Sequence, residues 1–280
     1  MGKIVEAIEI EETVARLCRE ANCKLPADVV SALEAARERE VTSTGRRVLD
    51  EILENARLAA EVQAPCCQDT GLAIVFVRIG QDVCVNGGLE EAIQRGIAKG
   101  YTEGYLRKSV VRHPFDRKNT GDNTPGFVHV EHCPGSQLEL TVLPKGGGSE
   151  NMGRAKILLP SAGVEGVVEF VVETIRIAGG APCPPLVVGV GLGGGMEYAC
   201  LLAKKALLRP VGQPSSDPLL AELEQRALKE INATGIGPMG LGGAVTAMAV
   251  HAEATGCHIT ALPVAVNLGC HALRRATALL

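Results

Sequence analysis

Three cysteines lie in sequence contexts that could support chemistry. Cys67 lies in CCQDTG, Cys183 in APCPP and Cys270 in NLGCHA, each flanked by turn-forming or polar residues beside an apolar segment. None of them belongs to a C-x-x-C pair, the local spacing typical of structural zinc. A metal site built from all three would join three distant loops, and spacing alone leaves both that site and unrelated thiols open.

Composition excludes several other kinds of protein. The chain has ten cysteines, and its charged, amphipathic N-terminal segment does not have the pattern of an export signal, so we predict reduced thiols and a cytoplasmic location. The net charge is −4 with scattered basic residues, which gives no reason to expect nucleic-acid binding. No uninterrupted apolar run reaches about 18 residues, so we expect no membrane span.

The remaining cysteines suit a packing role. Cys18 and Cys23 lie in a helical segment, and Cys84 and Cys200 lie in apolar segments. Cysteine behaves as a small hydrophobic residue when it is not reactive. We therefore predict that these four side chains are buried in the core.

Two glycine-rich segments could approach a phosphate or a carboxylate. Gly189, Gly191 and Gly194 have G-x-G-x-x-G spacing, but no second strand carrying an acidic residue follows, so a nucleotide-binding module is only an alternative. In LPKGGGSENMG, Lys145 precedes consecutive glycines whose N–H groups could bind a small anion. A flexible hairpin connection would explain that second segment equally simply.

Charged residues and histidines outside these loops have two interpretations each. Arg107, Lys108 and Arg112 could form a solvated basic face, or they could bind a carboxylate through paired hydrogen bonds. His258 and His271 each follow a cysteine, where a histidine is more often a hydrogen-bonded structural residue than a catalyst. The sequence alone does not choose between the structural and the functional interpretation of these residues.

The pattern of apolar residues predicts a mixed α/β fold. Residues 1–62 have helical periodicity, and residues 63–280 alternate between strands and helices, which predicts β-sheets surrounded by helices in one intertwined domain over 1–280. FVHVEH and QLELTVLPK have the pattern of adjacent antiparallel strands. AVTAMAVHAEATG could be a helix or a strand, and the C-terminal segment should end in a short helix.

Together the motifs resemble a known family. Several occur in order along the chain: PCCQDTG, LRKSVVRHPF, NTGDNTP, PKGGGSENM, CPPLVVGVGLGGGMEYA, GPMGLGG and LPVAVNLGCHALRRA. They are similar to those of the alpha subunit, or N-terminal catalytic domain, of the iron–sulfur hydro-lyases, namely class I fumarate hydratase and L-tartrate dehydratase. The resemblance covers nearly the whole chain.

The resemblance implies a site and a cofactor. Cys67, Cys183 and Cys270 would hold a 4Fe–4S cluster with one open iron, and Cys66 would only pack. Asp69 and His258 would lie near that iron. Among substrate-binding groups, Arg107 would pair with a carboxylate, and Lys145 and Gly147 would belong to the glycine-rich loop.

The resemblance also implies a reaction and a partner. The expected reaction is the reversible hydration of fumarate to malate, with L-tartrate dehydration as the alternative. A beta subunit would complete the site, in an α2β2 assembly. A zinc-binding or non-catalytic homologue is a third reading.

Overall fold

A computed structural model describes residues 2–280, and the fold is mixed α/β, as predicted. Within these residues the helices are α1 (Ala7–Cys23), α2 (Ala27–Arg39), α3 (Ser43–Val62), α4 (Leu89–Glu103), α5 (Gly147–Glu150), α6 (Gly163–Ala178), α7 (Met196–Ala206) and α8 (Pro218–Asn232). The strands are β1 (Lys3–Glu6), β2 (Leu72–Gly80), β3 (Val83–Asn86), β4 (Phe127–Cys133), β5 (Leu138–Lys145), β6 (Arg154–Leu158), β7 (Leu186–Gly194), β8 (Ala247–Cys257), β9 (Leu262–Gly269) and β10 (Ala276–Leu279).

The chain forms two compact units, and each combines segments that are not consecutive in sequence. The first unit comprises the residues up to Pro26, Ala56–Gly147 and Arg274–Leu280, and the second comprises Ala27–Asn55 and Gly148–Leu273. Neither unit begins or ends at residue 62, where the sequence predicted a change from helical to mixed structure. None of the helices within residues 2–280 combines the length and the apolar character that crossing a bilayer requires.

A four-stranded sheet in the order β10-β5-β2-β4 organises the first unit. Its central strand β2 is a nearly continuous apolar run, as expected for a strand covered on both faces. Helix α1 packs against α4 and contacts β5, and the core is aliphatic, with Ile10, Val14, Val75 and Ile97 fully buried. The starts of β2 and β4 and the end of β5 lie at one end of this sheet.

The second unit has a sheet in the order β6-β9-β7-β8. Alternate residues of β7 face opposite sides: Val188 and Val190 belong to the aliphatic core shared with α6 and α8, whereas Gly189 and Gly191 face α7. Strand β8 runs parallel to β7, and β9 runs antiparallel to it. This sheet therefore has helices on both faces.

Three local predictions were wrong. The N-terminal region is not wholly helical, because β1 precedes α1 and pairs in parallel with β3. Strands β4 and β5 are not adjacent, since β2 lies between them. The C-terminal segment ends in strand β10, paired with β5, instead of a short helix. The ambiguous segment is strand β8.

Cysteine burial also separates confirmed from mistaken predictions. Cys18 and Cys23 are buried as expected, and burial raises the pKa of the Cys18 thiol to about 12. Cys84 and Cys200 are exposed, so the prediction that they lie in the core was wrong. An apolar sequence context does not fix which face of a short strand or helix carries the thiol.

Candidate active site

A tight turn carries Cys67 to the start of β2 in the first unit. The Cys67 side chain is half-buried, and its Sγ atom accepts a hydrogen bond from the Asp69 N–H at 3.4 Å. Gly71 closes the turn with φ of +76°, and a methyl group there would lie 2.7 Å from the backbone of Lys145. Only glycine accommodates both this backbone conformation and this close approach.

Buried polar side chains hold the turn in place. The Tyr101 hydroxyl is fully buried and donates to the carbonyl oxygens of Thr70 at 2.8 Å and Gly71 at 3.1 Å. The Asn123 side-chain amide donates to the same Gly71 carbonyl at 3.1 Å, and its oxygen accepts from the Ser109 N–H at 2.6 Å. Burial raises the pKa of Tyr101, so its hydroxyl remains a donor at physiological pH.

Asp69 links the turn to the glycine-rich loop. Its Oδ1 accepts from the Gly71 N–H at 3.0 Å, and its Oδ2 accepts from the Gly147 N–H at 2.8 Å. Two backbone donors thus fix the orientation of this carboxylate. The Gly147 N–H, which the resemblance assigned to a substrate, donates to Asp69 in this structure.

The other predicted residues of the first unit surround the same turn. The Arg107 side chain is exposed, and its backbone carbonyl accepts a hydrogen bond from the Thr70 hydroxyl at 2.9 Å. Lys145 is buried at the end of β5, in register with Leu72 at the start of β2. Five predicted site residues therefore lie at one end of one sheet: Cys67, Asp69, Arg107, Lys145 and Gly147.

A chain of buried polar contacts runs from the turn into α1. The Cys66 N–H donates to the Asn22 carbonyl at 3.0 Å, and the Asn22 side-chain amide donates to the Cys18 carbonyl at 2.9 Å. The Arg274 guanidinium then donates through Nη1 to the Asn22 side-chain oxygen at 3.0 Å. Asn22 and Arg274 are both buried, so α1 and the segment before β10 support the turn from the interior of the first unit.

In the second unit the structure brings Cys183 and Cys270 together. Cys183 precedes β7 and Cys270 follows β9, and these strands are antiparallel with Val187 opposite Gly269. The N–H of His271 donates to the Cys183 carbonyl at 3.2 Å, and the His271 Nδ1 lies 3.1 Å from the same oxygen. Both thiols are half-buried. Contacts of His271 thus join the two cysteine loops.

A buried carboxylate anchors a different loop, residues 235–245, which lies beside Cys183. Glu40 follows α2 and accepts hydrogen bonds from the N–H groups of Ala244 and Val245 at 3.0 Å. The Met239 N–H of this loop donates to the Pro184 carbonyl at 2.8 Å. Burial alone would raise the pKa of Glu40, but hydrogen bonds, including those from Ala244 and Val245, outweigh it and hold that pKa below its usual range.

This arrangement predicts a pH-dependent contribution to stability. The lowered pKa means that ionised Glu40 stabilises the fold above its ordinary pKa of 4.5 and that this contribution is lost as the pH falls through the folded-state pKa. We expect Glu40→Gln to lower the free energy of unfolding at pH 7 by about 1–3 kcal/mol. Urea unfolding should show this difference shrinking below pH 4.5.

Glu38→Gln is a matched control for Glu40→Gln. Glu38 lies in α2, just before Glu40, but it is exposed and pairs with Arg37, so little change is expected. If Glu40→Gln and wild type unfolded identically at pH 7, the anchoring role would be wrong.

His258 lies elsewhere in the second unit. It follows β8, whose last residue, Cys257, pairs with Gly194 at the far end of β7. Because Cys183 precedes β7, the length of the strand separates His258 from the two clustered cysteines. The exposed ring bonds through Nδ1 to the Thr260 hydroxyl at 2.8 Å. The second unit does not bring His258 to Cys183 and Cys270.

Comparison with known proteins identifies the family. The model of the family described as fumarate hydratase (fumerase) matches residues 11–279. This chain belongs to the fumarate hydratase family. Among curated proteins, one of Methanocaldococcus jannaschii, named "Putative L(+)-tartrate dehydratase subunit alpha", is 45% identical, over 96% of this chain and 96% of its own. The L(+)-tartrate dehydratase subunit alpha of Escherichia coli K12 is 37% identical, over 97% of this chain and 90% of its own.

The glycines of β7 have a structural role in this family member. A methyl group at Gly189 would overlap the Ala203 carbonyl oxygen, and one at Gly191 would overlap that of Ala199, both on α7. The G-x-G-x-x-G spacing therefore allows a helix backbone to approach the middle of a buried strand. Phosphate-binding glycines lie instead in the turn between strand and helix, so the nucleotide interpretation loses its main support.

Sequence reasoning missed several supporting residues. Asn123 and Arg274 lie inside quoted motifs, in NTGDNTP and HALRRA, but nothing in those motifs shows that their side chains are buried. Asn22 and Tyr101 lie in amphipathic helices without any motif. Within residues 2–280, no three His, Cys, Asp or Glu side chains form a ready metal-binding group.

Proposed function

We propose that this fumarate hydratase family member is the alpha subunit of a hydro-lyase. Its substrate would be a four-carbon dicarboxylate, to which water is added or from which it is removed. The Asp69 carboxylate, oriented by two N–H donors beside Cys67 and the exposed Arg107, is the observation that carries the proposal. Family membership over nearly the whole chain supports it.

The chemistry of the thiols fits an iron–sulfur cluster. We propose Cys67, Cys183 and Cys270 as its ligands, because iron–sulfur clusters are bound by cysteine thiolates. All three are half-buried and lie in turns next to strand ends. Cys18 differs, because burial raises the pKa of its thiol and keeps that thiol protonated. The N–H of Asp69 that points at the Cys67 sulfur is the kind of outer contact that orients and tunes a ligand. When bound, an open iron of such a cluster supplies a Lewis acid for a hydroxyl or carboxylate oxygen.

The protein's own groups divide the remaining work. Dehydration of a hydroxy acid needs a held carboxylate, a stabilised departing hydroxyl and removal of a weakly acidic C–H proton. Arg107 can bind a carboxylate through two parallel N–H donors. Asp69, held by Gly71 and Gly147, can accept a hydrogen bond from a hydroxyl or from water. A catalytic role for His258 remains a prediction from the resemblance alone.

Two substrates merit comparison. The family description favours hydration of fumarate to malate, whereas the names of the similar proteins from M. jannaschii and E. coli favour L-tartrate dehydration. The two reactions differ by one substrate hydroxyl. Comparing kcat/KM for fumarate, malate and L-tartrate would decide between them, and the preferred substrate should exceed the other by at least tenfold.

A partner chain is part of the proposal. The similar proteins are named as alpha subunits, which supports a beta subunit that completes the site; an α2β2 assembly and a cytoplasmic location remain predictions. We expect the chain reconstituted anaerobically with iron and sulfide to show broad iron–sulfur absorbance but little turnover. Addition of the beta subunit should restore turnover.

Each result of this reconstitution has a clear meaning. Full activity of the chain alone would contradict the need for a beta subunit. Absence of turnover on all three acids with both subunits present would contradict the hydro-lyase assignment. Metal analysis that found zinc instead of iron would favour the zinc-binding alternative.

A further inference from the structure

Arg274 is a buried cation with no carboxylate of the described chain within ion-pair distance. Its side chain is 2% exposed, and its Nη1 donates a hydrogen bond to the Asn22 side-chain oxygen. Its Nε is buried and has no hydrogen-bond partner, and no carboxylate among residues 2–280 lies within ion-pair distance of it. Buried charges normally have a counter-charge, because removal from water is unfavourable.

The position of Arg274 relates it to the Cys67 turn. It precedes β10, whose first residue, Ala276, pairs with Val142 of β5, so it lies towards the end of the sheet where β5 leads into the glycine-rich loop. A methyl group on Gly146 would lie 3.2 Å from the Asp69 Oδ2 and 3.6 Å from the Arg274 Nη2. The Asp69 carboxylate and the Arg274 guanidinium therefore face the same small space beside Gly146.

The negative charge of the Cys67 turn would repel a dicarboxylate unless a cation lies nearby. A dicarboxylate that approaches the Asp69 carboxylate meets a like charge, and such repulsion is strong where water is excluded. Arg107 is exposed and can pair with the substrate directly, but its charge is screened by solvent. Arg274 is buried within the first unit, so its charge acts at short range with little screening.

We propose that Arg274 is a positioning residue that supplies the buried positive charge of the substrate site. It offsets Asp69 so that the turn accepts a dianion, and it does so without touching the substrate. This inference rests on the proposed function. The simpler reading is that Arg274 only anchors α1 by donating to Asn22.

Two substitutions separate charge from anchoring. Arg274→Lys keeps the charge, whereas Arg274→Gln keeps a hydrogen-bond donor for Asn22 and removes the charge. The readouts are the Kd of malonate, a non-reacting dicarboxylate, measured by calorimetry on the iron-loaded two-subunit protein, and kcat and KM for the preferred substrate. We expect Arg274→Gln to weaken malonate binding and raise KM by about tenfold, and Arg274→Lys to remain near wild type.

A second variant keeps the test decisive if Arg274→Gln fails to fold. Asn22→Asp leaves an acceptor for the Arg274 Nη1 but places a carboxylate against the guanidinium and cancels its charge. It should weaken malonate binding to a similar extent. Arg16→Gln in α1, at a half-exposed pair with Glu20, should leave malonate binding unchanged.

The outcomes distinguish this inference from the proposed function. Wild-type malonate affinity in Arg274→Gln or in a folded Asn22→Asp would overturn the charge role. Tighter malonate binding by Arg274→Gln than by Arg274→Lys would overturn it as well. A wild-type protein without iron or turnover would instead overturn the proposed function, whatever the Arg274 variants do.

Discussion

Cys67→Ser is expected to abolish the iron–sulfur absorbance and at least about 99.9% of the hydro-lyase activity, a loss of about 4 kcal/mol of transition-state stabilisation. Cys67 is the proposed ligand that lies in the first unit, and serine does not replace a thiolate towards iron. Absorbance spectra, iron content and turnover of the anaerobically reconstituted two-subunit protein would measure the effect.

The neighbouring cysteine provides the matched control. The Cys66 side chain is buried, at 8% exposure. The hydrogen bond of Cys66 to the Asn22 carbonyl comes from its main-chain N–H, which a substitution leaves intact. Cys66→Ala should therefore keep the cluster and the activity, and should lower stability by only about 1 kcal/mol. A cluster retained in Cys67→Ser, or lost in a folded Cys66→Ala, would contradict the assignment of the ligand within the pair.

The sequence predicted the parts of the site that depend on local pattern. Strands β2 and β7 are long apolar runs bounded by turns, so the sequence alone places the loops that carry Cys67 and Cys183 at strand ends. Which other loops lie beside these strand ends depends on the strand order and register of each sheet. No local sequence pattern contains that information. The insertion of β2 between β4 and β5 is a clear example.

Tertiary pairing also overrode local preference at the C-terminus. Ala276–Leu279 contains good helix formers, yet it forms β10 because it pairs with β5, where the Thr277 and Thr141 hydroxyls lie 2.9 Å apart. The buried supports of the Cys67 turn were invisible for a related reason. Tyr101 occupies an ordinary apolar position of α4, and its hydroxyl gains a role only because the turn lies against it.

Replacing Gly191 with alanine tests whether the glycines of β7 serve packing or ligand binding. The added methyl group would overlap the Ala199 carbonyl oxygen and lie 2.5 Å from the Ala203 nitrogen, so α7 or β7 must shift. Overpacking against a backbone cannot be relieved by a rotamer change, and we expect the free energy of unfolding to fall by about 3 kcal/mol or more. Urea unfolding would measure the loss.

Gly256→Ala in β8 is the appropriate control, because a methyl group there meets no atom within 4 Å and stability should change little. The comparison separates two explanations of one sequence pattern. If the glycines existed to approach a phosphate, Gly191→Ala would leave unfolding unchanged and abolish NAD binding. If they exist to seat α7 on the sheet, stability falls and no NAD binding is observed in either protein, since Gly189 and Gly191 lie inside a covered strand where no ligand phosphate can reach their N–H groups.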